Sequence, residues 1–134
     1  MITTVPATAS TVRAAGLYRR LQNESRAVAA DPLELVTMLY DELERAVGVL
    51  AAMVRQGQRI SATDPAHRAR SILIGLDVGL DRDNGGEVAE ALSRVYRSMR
   101  RKLDDAVAAN DADNLDELLK GILTVSSAWR QIRQ

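Results

Sequence analysis

The sequence predicts an all-α protein: an antiparallel up-and-down four-helix bundle with a short N-terminal helical segment in front of it. Three observations carry that expectation. The 134 residues include no phenylalanine, and the aromatics are confined to Tyr18, Tyr40, Tyr96 and Trp129, so the core must be aliphatic. Four stretches repeat apolar residues at three- and four-residue spacings, and no stretch alternates with the period of a strand. The stretches are joined by short polar connections, which place consecutive helices side by side in opposite directions. A chain of this length suits one domain.

Residues 1–16 are rich in threonine, alanine and serine, contain Pro6 and lack periodicity, and are expected to form a flexible tail. The bundle domain then spans 17–134. Leu17, Tyr18, Leu21 and Val28 share one side of a short helical stretch that cannot be stable alone and should dock on the bundle.

The first long helix opens with a capping-box pattern: Asp31 as cap, Pro32 at the first position and Glu34 three residues after the cap. Val36, Leu43 and Leu50 form one apolar column. Leu39, Ala46 and Met53 form a second, and Leu33, Tyr40, Val47 and Val54 a third. Three columns make a stripe wider than a two-helix seam needs, so this helix should touch more than one neighbour. Gly57 is its expected stop.

The second helix is expected to start at Thr63 or Asp64, with Pro65 just inside, and to reach about Leu80. It buries Ala69, Ile72, Leu73, Leu76 and Leu80. Asp81 to Gly86 is a turn by composition, since paired glycines accept positive φ cheaply. The third helix, about 87–109, turns Val88, Leu92, Val95, Tyr96, Met99, Leu103, Ala106 and Val107 inward. Asn110 to Asp113 breaks it and caps a fourth, about 113–132, with Leu115, Leu118, Leu119, Ile122, Val125, Trp129 and Ile132 inside. Helices of 18 to 25 residues, each about 27 to 37 Å long, follow from these bounds.

Composition also excludes function classes. Lysine plus arginine and aspartate plus glutamate number 18 each, so there is no net charge to attract nucleic acid or an anionic membrane. With no cysteine there are no disulfides, thiolate metal sites or cysteine nucleophiles. No apolar run nears the ~20 residues of a membrane span. The start of the chain lacks the apolar centre of a signal peptide, which makes the cytoplasm the expected compartment. The single histidine, His67, sits beside Arg68 on a polar surface, too little for a di-iron site, a zinc site or a Ser-His-Asp triad. Gly85-Gly86 follows no strand and precedes no lysine in phosphate-loop spacing, so it reads as a turn. Asp41/Glu42 and Asp104/Asp105 fit hydrated helix faces. The basic cluster Arg94, Arg97, Arg100, Arg101 and Lys102 is cancelled by the acids that follow it. No catalytic residue, metal ligand or cofactor is expected. Tyr40 and Tyr96, placed at the polar edge of a wide apolar stripe, leave two readings open: plain core, or apolar surface kept for a partner.

Residues 30–41, with Asp31-Pro32 opening a helix that runs into Met38-Leu39-Tyr40-Asp41, resemble a signature of the FliS family. Leu80-Asp81, Gly85-Gly86-Glu87-Val88-Ala89, Leu92, Val95-Tyr96, Met99 and Leu103 are similar to that family's turn-and-helix motif. Asn110-Asp111 and the acidic-aliphatic helix ending at Trp129 resemble its close. The sequence departs from the pattern at Ser98, where the family often has an aromatic, and at Glu42, where a glycine is common. The resemblance implies an export chaperone that binds the C-terminal segment of flagellin in the cytoplasm, blocks its polymerisation and accompanies it to the flagellar export gate. It implies no catalysis, no nucleic acid and no membrane insertion, and it leaves a homodimer possible. Tyr18, Tyr40 and Tyr96 match family tyrosines. With Leu33, Val47, Leu80, Leu92 and Met99 they are the expected partner contacts, and Leu17 to Val28 is the expected displaceable lid. The competing reading is a helical adaptor or homo-oligomeric bundle for another amphipathic helix.

Overall fold

The computed structural model describes residues 32–133. The tail, the short helical segment with Tyr18, and the Asp31 cap lie outside them. Four helices and no strand make up the described residues: α1 (Pro32–Arg55), α2 (Asp64–Val78), α3 (Arg82–Ala109) and α4 (Ala112–Arg133). Each helix packs on its two neighbours around a square, α1 against α2 and α4, α3 against α2 and α4. The ion pairs fix the directions. Asp41 meets Arg130 while Arg55 meets Asp116, so α1 and α4 run antiparallel.

Local chemistry sets the ends. Gly57 (φ +85°) follows α1, and Gln58 N–H reaches Met53 C=O while Gly57 N–H reaches Val54 C=O. That pair of bonds is a Schellman stop, with glycine supplying the left-handed residue. Asn110 (φ +53°) ends α3 by the same two bonds, Asp111 N–H to Ala106 C=O and Asn110 N–H to Val107 C=O. Thr63 caps α2, accepting from Ala66 N–H. Asp81 and Asp111 cap α3 and α4 identically: each accepts from the backbone N–H and side-chain amide of the asparagine three residues on. The tetrapeptide Asp-x-Asp-Asn thus occurs twice and does one job.

Helix lengths depart from the expected 18 to 25 residues: α2 has 15 and α3 has 28. α2 stops at Val78, short of Leu80, because Gly79 and Leu80 close its last turn through Gly75 and Asp77 carbonyls. α3 begins within the expected turn, since the Asp81 cap nucleates one helical turn ahead of Gly86. Gly86 (φ +50°, ψ −123°) is then the kink where the positive φ is used.

Leu39, Leu43, Val47 and Leu50 of α1 interlock with Ile72 and Leu73 of α2, Tyr96 and Leu103 of α3, and Leu115 and Ile122 of α4. The wide α1 stripe is accounted for by its two neighbours. Two expected core residues are outside: Val88 and Ile132 are 67% and 68% exposed. Past the Gly86 kink the inward phase of α3 is set by Ala89, Ser93 and Tyr96, which turns Val88 outward. On α4 the buried positions reach Ser126, and Ile132 lies six residues further, about 240° round the helix. Serine at two buried positions is what the apolar columns could not reveal.

Candidate functional site

Two polar clusters lock the end of the bundle where α2 meets α3. Ser93 is fully buried; it donates to Asp77 at 2.6 Å and accepts from Arg82 and Arg97. Ser126 donates to Leu123 C=O, and Arg130 bonds Ser126, Asp41 and Glu44. Between them Tyr40 and Tyr96 meet across the diagonal of the square, hydroxyl to hydroxyl, with ring centroids 6.5 Å apart. Trp129 of α4 lies 6.4 Å from the Tyr40 ring. Burial pushes the Tyr96 hydroxyl above the ordinary tyrosine range, opposed by its bonds to Tyr40 and Trp129. At the opposite end Arg55 bonds Asp113 and Asp116, and the hydrogen bond from Arg55 holds the Asp116 carboxyl below its usual value.

The seams are not equivalent. α1 and α4 are joined by Arg55–Asp116 and Arg130–Asp41, α2 and α3 by Arg70–Asp104, and α1 and α2 by Arg68–Glu42. Among the described residues no ion pair joins α3 to α4. There the helices leave an open groove of about 510 Å³, continued by a smaller one of about 280 Å³. Met99 and Leu118 form its floor, and Ala91, Ser98 and Gly121 keep the walls thin. A Cβ built on Gly121 meets nothing within 4 Å. A glycine inside a helix costs roughly 0.5–1 kcal/mol relative to alanine, so Gly121 is a signal of this groove that the sequence held, beside Ser98 where the family often has an aromatic. Ala91 is the third small wall residue.

The expected contact residues do not converge on one surface. Of the eight, Met99 lines the groove. Tyr40, Tyr96 and Val47 are buried in the core, so the tyrosines are not at a polar edge. Leu80 and Leu92 are half-buried against the core, and Leu33 is 39% exposed at the start of α1. Tyr18 lies outside the described residues. Among those residues no three histidine, cysteine, aspartate or glutamate side chains converge as a metal site would need, and no helix is long and apolar enough to cross a membrane.

The family model described as flagellar protein FliS matches residues 14–134. The chain belongs to the FliS family. It is 33% identical over 126 residues to the flagellar secretion chaperone FliS of Salmonella typhimurium, a match covering 93% of this chain and 91% of that one. The flagellar secretion chaperone FliS of Vibrio cholerae is 32% identical over 86% of this chain and 85% of its own. Flagellar secretion chaperone FliSB of Pseudomonas aeruginosa is 34% identical over 84% and 89%. Every residue of the FliS-like motifs, from Tyr40 through Gly85-Gly86 to Asn110 and Trp129, falls inside the family match. In this FliS chain those residues are structural: the tyrosines and Trp129 meet inside the bundle, Gly86 forms the kink, and Asn110 ends a helix.

Proposed function

We propose that this flagellar secretion chaperone works in the cytoplasm by laying the C-terminal helical segment of flagellin into the groove between α3 and α4. The segment is held from premature polymerisation and is delivered to the flagellar export apparatus. One observation carries the reading to this seam: an open, apolar-floored groove beside Met99 and Leu118, on a family member whose relatives are named secretion chaperones. An amphipathic helix recognises such a groove with its apolar stripe. The segment folds as it binds, so ordering entropy offsets part of a large buried area. No bond is made or broken. Met99 is assigned to direct contact, whereas Tyr40, Val47 and Tyr96 act by fixing the core beneath the walls. Residues 17–134 act as one chaperone domain behind the 1–16 tail.

The test is titration calorimetry with a peptide of the C-terminal ~40 residues of the host flagellin, at several temperatures. Saturation at one to one with a negative heat-capacity change is expected. Gly121→Leu should fill the groove and weaken binding at least tenfold while the protein stays folded. Unchanged affinity in that variant would move the partner to another face. Absence of binding by the wild-type protein would favour an adaptor for a different helix.

A further inference from the structure

Charges on the groove walls are sorted by position, and this gives the occupant a recognisable chemistry. Arg94 stands at one end of the larger groove. Asp105 stands at the other, where the smaller groove continues it. Lys102 and Glu117 lie between and border both. In the lining of the smaller groove one cation faces two carboxylates, so that lining is net negative, while the Arg94 end is net positive. Eleven residues of helix separate Arg94 from Asp105, about 16 Å along the axis.

These charges are uncommitted. Among the described residues neither Arg94 nor Asp105 has an ion-pair partner, although the other three seams are each crossed by at least one pair. Glu117 pairs only with Lys120 of its own helix, at 3.2 Å, with both side chains more than 70% exposed; such a pair contributes little. The backbone does not mask the pattern either. α3 ends and α4 begins at the same end of the groove, so their opposed helix dipoles largely cancel there. What an occupant meets is therefore the side-chain field, positive at one end and negative at the other, over an apolar floor.

We infer that the groove selects a bipolar amphipathic helix: one carrying an anionic side chain where it passes Arg94 and a cationic one about three turns away, where it passes Asp105. This rests on the groove being the flagellin site. Its consequence is register. An apolar stripe alone can slide by a turn with modest loss, whereas two opposite charges at fixed separation reward one position.

The experiment uses the full chain and the same flagellin peptide, titrated at low and at physiological salt. Arg94→Glu makes both ends acidic, and Asp105→Lys makes both basic. Each is expected to weaken binding by roughly three- to thirtyfold at low salt, since an attraction at a partly exposed site becomes a repulsion of similar size, with a smaller effect at higher salt. Arg101→Glu, exposed on α3 but off the groove, should change affinity less than twofold. If both groove reversals stay within twofold while Gly121→Leu still blocks binding, the bipolar inference is wrong and the groove assignment stands. If one reversal weakens binding and the other strengthens it, the occupant carries a single sign of charge and the inference is again overturned. If Gly121→Leu leaves the affinity unchanged, the site itself is misplaced.

Discussion

Asn110 is the residue whose replacement tests the most geometry at once. It ends α3 in the left-handed region, φ +53° and ψ +50°. Its side chain also reaches into the α1–α2 connection, where Oδ1 accepts from Ile60 N–H at 2.9 Å and Nδ2 donates to Gln58 C=O at 3.0 Å. Ile60 is fully buried, so its N–H has no ready substitute in water, whereas Gln58 is exposed. Losing the first bond should cost about 1–2 kcal/mol and the second about 0.5 kcal/mol. Asn110→Gly keeps the backbone conformation. Its relief of left-handed strain is offset by its greater unfolded-state entropy, which leaves a net loss of about 2 kcal/mol. Asn110→Ala loses the same bonds and adds roughly 1 kcal/mol of strain, for about 3 kcal/mol. Urea unfolding followed by circular dichroism measures both, and the slope should stay unchanged if the transition remains two-state. A glycine variant within 0.5 kcal/mol of wild type would refute the clamp. An alanine variant no worse than glycine would refute the strain.

Three further predictions use other parts of the bundle. Gly48 lies mid-helix in α1 with open space around a built Cβ, so Gly48→Ala should stabilise the protein by up to about 1 kcal/mol, read as a higher thermal midpoint. Ser93→Ala leaves Asp77, Arg82 and Arg97 without their shared buried partner and should cost about 1–3 kcal/mol in urea unfolding; a neutral result would remove the network from the account. Burial raises the Tyr96 hydroxyl above its ordinary value of 10.0, so the folded state holds its proton longer than the unfolded state does. Its contribution is complete below about pH 10 and is lost as pH rises through the raised folded value. Wild-type stability should therefore fall more steeply than that of Tyr96→Phe between about pH 9 and 11, and parallel curves would show that the burial has no such effect.

The bundle was legible because its strongest signals are periodic. Leu39, Leu43 and Leu50, then Ile72 and Leu76, then Leu115 and Ile122 all occupy the faces their spacings assign. Ends marked by chemistry also stood where the sequence put them, at Gly57, Thr63 and Asn110. What a one-dimensional pattern does not carry is rotation about a helix after a break. Gly86 resets the phase of α3, so Val88 turns out and Ser93 turns in. The groove was less legible still. It is defined by small side chains at Ala91 and Ser98 and by the missing one at Gly121, and an apolar count registers bulk but not vacancy. The tyrosines drew attention for the right chemistry, an apolar ring with a polar tip, yet each hydroxyl finds its partner in the other across the core.

The way α3 is held explains how a groove can exist beside it without loosening the fold. At one end Ser93 and Arg82 tie it to Asp77 of α2. In its last third Asp104 pairs with Arg70 of α2, and at its far end Asn110 clamps the α1–α2 connection. None of these three attachments is to α4. α4 in turn is fastened to α1 by Arg55 and Arg130. Ion pairs thus cross three seams, α1–α2, α2–α3 and α1–α4. The helices share an aliphatic core, and the α3–α4 seam has no ion pair among the described residues. A helix inserted there meets no ion pair across that seam among the described residues; the polar contact that spans it is Tyr96 to Trp129, near one end. Widening elsewhere costs apolar contact, which the incoming apolar stripe restores. A bundle braced on all four sides would break polar bonds in a low-dielectric setting before it admitted a partner. On the proposed function, a seam without ion pairs lets the flagellin helix enter and leave at little polar cost.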